Sequence, residues 1–471
     1  MSKLYIFAIG GTGARVLKSL TFLLASGVEC NADSIVPIII DPDAANGDVS
    51  KTTDILRLYQ NIRSKLSFDN ESNNGFFETA IDSNTNNFRI NIQNSNKKFK
   101  DFIDYSSLDK SNKAMTSLLF SEKNLNSDME VGFKGNPNIG SIVLNQFNKS
   151  EDFEIFASSF SSGDKIFIIS SIFGGTGASG FPLLLKNIRS AGANLNNHAL
   201  LKDAPIGAIS VLPYFGVKKN DDSDIEKSSF ISKTKAALRY YEYGVNKSVN
   251  IMYYIGDQTN KDYDNNEGSV AQKNDAHFIE LASALAVLNF ANTPKEYFKN
   301  SEDSQKHIVK EFGIDKDSNS IIFNDLNDIT KGYLFNPLTQ YYLFHLYTKN
   351  KLRSNLDMNF AANLGLNSAF LSGDFYGKLQ MFNDLYWEWL GQMNENQRGF
   401  SPFKMEENTQ EIFDIVTGVK LKNGMFLGKK NYERYTTYLN KTSKSINGAS
   451  NIENKFLENF YLATNQLVNK N

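Results

Sequence analysis

The sequence predicts an α/β fold: a mostly parallel, Rossmann-like sheet with helices on both faces, followed by a largely helical C-terminal region. Three observations predict it. Over the first 260 residues, short apolar runs alternate with stretches of helical period. Glycine clusters stand where two of those runs pass into helices. From about residue 300, strand signals become few and aromatic residues recur at helical spacing.

The elements follow in order. Strands are expected at Leu4 to Ile9, Ile35 to Ile40, Lys165 to Ser170, Pro205 to Leu212 and Asn250 to Ile255. Each is short and apolar nearly throughout, as a strand buried on both faces must be. Helices are expected at Gly13 to Ala25, Gly180 to Ser190 and Thr234 to Tyr243. Such alternation builds a parallel sheet. Residues 274 to 291, NDAHFIELASALAVLNFA, read as a further helix whose start Asn274 or Asp275 can cap. Its apolar residues run nearly all round, so other elements must cover it on every side. The chain therefore divides into a sheet domain over 1–273, a buried central helix over 274–292 and a largely helical domain over 293–471. Within the last, SIIF and GMFL are the short strand candidates.

Composition bounds the function. A chain of 471 residues is too long for one compact core. A net charge of −2 gives no field that favours nucleic acid or an anionic membrane. The single cysteine, Cys30, excludes an intramolecular disulfide framework and fits a reducing, cytoplasmic compartment. It reads as a small core residue. The apolar opening is broken by Gly10, Gly11, Thr12, Gly13, Arg15 and Lys18, so it reads as strand, turn and helix, not as a secretory signal. No apolar stretch approaches the roughly 20 residues that span a bilayer. The asparagine-rich stretches NESNNGFF and DSNTNNFRINIQNSNKKFK read as exposed loops.

The candidate chemistry lies in the glycine loops. IGGTGAR ends one strand, and SSIFGGTGASG follows another. Glycine lets backbone approach a ligand without a Cβ in the way. A helix N-terminus adds free N–H groups and partial positive charge, which suit an anion. The dinucleotide fingerprint G-x-G-x-x-G is incomplete here, because Val16 fills its last position. The second strand ends in IIIDPDAAN, where Asp41 or Asp43 can face a ribose hydroxyl or a hydrated Mg²⁺. D-P-D is equally good turn chemistry. Between the two loops, EVGFKGNPNIGS offers Gly132, Gly135 and Gly140 with Lys134 beside them. Two loops at the carboxyl ends of different strands can converge on one multi-phosphate ligand.

Four of these segments resemble, in order and rough spacing, the loops of the tubulin/FtsZ superfamily. GGTGASG resembles its G-G-G-T-G-[ST]-G signature, and IGGTGARVLKSL its first glycine-rich loop. IIDPDAAN looks like the loop with an N-T-D-A-Q pattern, with Asp43 on the aspartate. GFKGNPNIGS resembles the G-A-G-x-N-P-x-x-G loop, and SVLPYF the segment carrying T-K-P-F. The likeness covers residues 1 to 291 and fits a divergent bacterial tubulin-like protein. It implies a tubulin/FtsZ-type nucleotide-binding sheet holding GTP or GDP with Mg²⁺. Gly10, Gly11, Thr12 and Gly13 would lie near the α and β phosphates. Gly174, Gly175, Thr176, Gly177 and Ser179 would cradle the β and γ phosphates. Gly135 and Asn136 would approach the γ phosphate, Asp43 would hold Mg²⁺ through water, and Asn274 would reach the base. It also implies self-association into homo-oligomers or filaments, and at most slow GTP hydrolysis. The family's N-x-D-x-x-D pattern is missing after the central helix, and only Asp325 and Asp328 keep a D-x-x-D spacing. Phe173 replaces the signature's first glycine.

Two other readings stand beside this one: a Rossmann-type dinucleotide enzyme, which leaves the second loop unexplained, and a nucleotide-free scaffold on the same fold. Further motifs fail. GMFLGKKN has three residues between its glycines where a P-loop needs four. G-x-S-x-G fails at Phe181 after Ser179. One cysteine and four scattered histidines give no zinc spacing. His277 and Glu280, one helical turn apart, read as a satisfied buried pair.

Overall fold

The computed structural model describes residues 2–43, 45–68, 75–130, 132–133, 135–217, 227–257, 262–263, 274–299, 305–312, 319–396, 398–421, 431–446 and 450–468. GMFL and most of GMFLGKKN lie outside these residues, as does Lys134.

A seven-stranded, all-parallel sheet forms the centre of the sheet region. Its strands are β1 (Lys3–Ile9), β2 (Ser34–Ile40), β3 (Ala80–Ile81), β4 (Lys165–Ser171), β5 (Ile206–Val211), β6 (Ile251–Ile255) and β7 (Ile308–Phe312). They stand in the order β3-β2-β1-β4-β5-β6-β7. The five expected strands are all present. β7 was not expected: two of the five residues of IVKEF are charged, because an edge strand needs no continuous apolar run.

The strand order reverses at β1. Chain going one way builds β2 and β3, and chain returning the other way builds β4 to β7. In an open α/β sheet the crevice between two such strands, at their carboxyl ends, is where ligands bind. Two helices diverge from it. α1 (Gly10–Ala25) follows β1 and shares its face of the sheet with α2 (Gly47–Arg63). α3 (Pro137–Leu144) and α4 (Gly175–Arg189), which follows β4, lie on the opposite face, where a Cβ on Gly180 would touch Ile9. Both glycine-loop helices start earlier than the periodicity predicts, at Gly10 and at Gly175. α5 (Lys227–Tyr240) precedes β6.

The central helix is α6 (Phe278–Asn292). It begins later than residue 274, and neither Asn274 nor Asp275 caps it. Residues 274 to 277 lie outside the helix, and the cap is His277, itself extended, whose Nδ1 accepts from the Ile279 amide at 3.0 Å. The Glu280 carboxylate completes the box by accepting from the His277 amide at 3.4 Å. His277 and Glu280 are thus satisfied together, as expected. The helix is buried nearly all round: Phe290 packs on Phe167 of β4, and Phe278 on Phe400.

The C-terminal region is largely helical, with α7 (Asp328–Asn350), α8 (Asp374–Glu395), α9 (Asn431–Thr442) and α10 (Ile452–Val468). It packs on the face formed by α1 and α2. Phe22 meets Phe382, Tyr386 and Trp389, and the Trp389 Nε1–H donates to Ser19 Oγ at 3.1 Å. Two expectations fail here. Phe76 and Phe77, read as part of an exposed loop, are fully buried, and Phe76 plugs between Tyr341, Phe344 and Tyr461. Phe88, Ile90, Ile92 and Phe99 likewise anchor the second asparagine-rich stretch. Polar neighbours hid these anchors, since a loop needs only a few apolar contacts to be pinned. Cys30 is only partly buried, with its thiol pushed up to about 12 by burial.

Candidate functional site

The two GGTGA loops meet. Gly10 adopts φ +73°, a left-handed conformation that favours glycine. A Cβ placed on Gly10 would stand 3.7 Å from the Thr176 Cβ and 3.9 Å from the Gly177 nitrogen. Gly13 and Gly177 play matching parts. A Cβ on Gly13 would lie 2.6 Å from the Ala8 carbonyl carbon, and one on Gly177 would lie 2.6 Å from the Ser171 oxygen. Each glycine therefore seats its helix directly on the strand end. Gly11, Gly174 and Thr176 remain partly exposed at the crevice.

The third loop joins them. A Cβ on Gly175 would lie 3.0 Å from the Phe133 Cβ, 3.2 Å from the Gly135 nitrogen and 3.4 Å from the Asn136 nitrogen. One on Gly140 would collide with Ser179 Oγ, so α3 packs closely on α4. Ser179 spends its hydroxyl inside α4, donating to the Gly175 carbonyl at 2.7 Å. Lys233 of α5 donates to the Gly135 carbonyl at 2.8 Å, which brings to this loop a cation that no motif flagged.

The Asp41 and Asp43 side chains serve the turn before α2. Asp41 Oδ1 accepts from the Asp43 amide and Asp43 Oδ1 from the Ala45 amide, each at 3.0 Å. Asn46 caps α2 by accepting from the Asp48 and Val49 amides. Arg89 donates to the Asp41 and Asp43 carbonyls. Burial pushes the Asp41 carboxyl up to about 7. Among the described residues, no three His, Cys, Asp or Glu side chains converge on a metal position. A divalent ion would therefore depend on ligand phosphates and water, with Asp43 at most one contributor.

Sequence reading missed the most charged part of the site. Arg15 is 2% exposed. Its Nε donates to Glu280 Oε1 and its NH1 to Asp48 Oδ2, each at 2.7 Å. NH2 donates to Tyr214 OH at 2.8 Å and to Thr12 Oγ1 at 3.4 Å. Tyr214 in turn donates to Glu280 Oε1 at 3.1 Å. Burial works against the guanidinium charge, but Tyr214, Asp48 and Glu280 more than offset it and hold the group well above its ordinary value. Lys18 is also buried, which lowers its ammonium below the usual lysine range. The network joins the first loop to the first turns of α2 and α6, 33 and 265 residues away in the chain. Asn274 touches it only by its backbone, donating to Asp48 Oδ1 at 3.3 Å.

Asp325 and Asp328 flank the start of α7, and Phe323 beside them packs on Phe400, which packs on Phe278 at the start of α6. Asp325 Oδ2 caps a turn by accepting from the Ile322 amide at 2.9 Å, and Asp328 opens α7. Tyr333 of α7 is bonded to Asn292, which ends α6.

No family model matches the chain, and no curated protein does. Solved structures that align with it include two CetZ proteins. CetZ2 from Haloferax volcanii, a GTPγS-bound protofilament, aligns at 13% identity and TM-score 0.31, over 62% of this chain and 58% of that one. CetZ from Methanosaeta thermophila strain DSM 6194 aligns at 16% identity and TM-score 0.27, over 62% of this chain and 52% of that one. The chain thus spans little more than half the length of these proteins. Among the described residues, no helix is long and apolar enough to cross a membrane.

Proposed function

We propose that this chain is a tubulin/FtsZ-like protein that binds GTP or GDP with Mg²⁺ and acts as a nucleotide-dependent assembly or conformational switch. One observation carries the reading: the two GGTGA loops touch, Gly10 against Thr176, at the reversal point of the strand order. A triphosphate is long, and amides from both loops can grip it along its length. Gly135 and Asn136 lie against Gly175, so their loop borders the same crevice. Guanine is proposed because the loops follow the superfamily's order. Mg²⁺ would ride on the phosphates near Asp43. Asp325 and Asp328, which keep the D-x-x-D spacing, would act on a nucleotide across an interface between copies, so slow hydrolysis would depend on self-association into homo-oligomers or filaments in the cytoplasm.

Equilibrium titration with labelled GTP, GDP, ATP and NAD tests the reading. The expected result is binding of GTP and GDP, lost in a variant carrying Gly175→Trp and Gly177→Trp. A folded protein that ignores GTP at high micromolar concentration, or a double variant that binds as well as the parent, overturns it.

A further inference from the structure

We propose that Arg15 is a phosphate-binding residue in its own right, held ready beneath the first loop by two carboxylates; this rests on the nucleotide reading above. A guanidinium has five N–H donors. Nε–H serves Glu280, one NH1 hydrogen serves Asp48, and the NH2 hydrogens serve Tyr214 and Thr12. The second NH1 hydrogen has no partner among the described residues. NH1 is also the atom that approaches the loop, 3.7 Å from where a Cβ on Gly11 would stand. Asn46 Nδ2, a second donor, lies 3.6 Å from the same point, and Asp48 Oδ2 lies 3.8 Å from it. Gly11 is partly open to solvent while Arg15 is not. An anion resting on the Gly11 to Gly13 amides therefore meets a buried, charged donor that needs no rotamer change to reach it.

The surroundings fit this use. Gly11, Arg15 and Lys18 are spaced i, i+4 and i+7, so they share one face of α1. Two buried cations thus stand under the loop, against the carboxylates of Asp48 and Glu280. Lys18 has no hydrogen bond among the described residues, so the cluster has donors to spare. The ligand class is a polyphosphate. The carboxylates act as resting counter-ions that share the guanidinium with the phosphate and weaken its hold on it. Removing one of them strengthens that hold.

Calorimetric titration of the full chain with inorganic tripolyphosphate and with GTP tests this, since tripolyphosphate reads the phosphate grip without the base. Arg15→Gln is expected to weaken both ligands at least tenfold, Arg15→Lys to restore part of the loss, and Asp48→Asn to tighten tripolyphosphate severalfold. A merely structural network would make Asp48→Asn weaken binding instead. Arg15→Gln combined with Asp48→Asn keeps the charge balanced should the single variant fail to fold, and it too is expected to bind weakly. Parental binding that Arg15→Gln/Asp48→Asn and Arg15→Lys leave unchanged overturns the role of Arg15 alone. Absence of binding of either ligand by the parent chain overturns the nucleotide reading and this proposal together.

Discussion

The pentapeptide GGTGA occurs twice, at 10–14 and 174–178, and the two copies sit in opposite electrostatic surroundings. In both, the fourth residue of the copy seats a helix on its strand at the same 2.6 Å approach. The residue after each copy differs. After the first it is Arg15, bound to two carboxylates on other helices. After the second it is Ser179, which bonds only within its own helix. Glycines set the shape of a turn, while the next helical position sets its charge. A sequence repeat therefore need not be a functional repeat. One loop is a charged junction of three helices, and the other carries no charge at its sixth position.

The comparison breaks most visibly at that sixth position. Arg15→Met should cost about 3–5 kcal/mol, because it strands two buried carboxylates, whereas Ser179→Ala should cost only about 1 kcal/mol. Urea denaturation of the two variants measures both, and equal losses would erase the distinction. At the fourth position the copies should agree: Gly13→Ala and Gly177→Ala each force a Cβ against backbone and should cost about 1–3 kcal/mol. Gly10→Ala carries a left-handed penalty of about 1–2 kcal/mol, which Gly174→Ala, at φ −82°, escapes. Thermal melts of that pair sharpen the comparison further.

The smallest effect concerns pH. Burial pushes the Asp41 carboxyl from an ordinary 3.8 up to about 7 in the fold. Folding then takes up a proton between those values. Stability should therefore fall as pH rises from about 4 to about 7 and level off above. Asp41→Asn should remove that slope, which urea midpoints at pH 5 and pH 8 would reveal.

The sheet was legible in the sequence because parallel strands buried on both faces must be apolar throughout, and glycines mark where they end. The loops' convergence was legible as an inference from one sheet carrying two strand–glycine–helix units. Arg15 was not legible as part of a site. In the sequence it is one charge interrupting an apolar opening, and its partners lie on helices far along the chain. The cap of α6 was missed because asparagine and aspartate outrank histidine as caps, yet Asn274 lies outside the helix and gives its amide to Asp48. Phe76 and Phe77 were hidden by asparagines. β7 was hidden by Lys310 and Glu311, which an edge strand tolerates.

The central claim is a single ligand gripped by both copies of the pentapeptide. A crystal structure with a slowly hydrolysed GTP analogue tests it most directly. The account predicts phosphate oxygens within hydrogen-bond distance of amides from both residues 10–13 and residues 174–177. Phosphates held by one loop alone, with the other facing solvent, would contradict it.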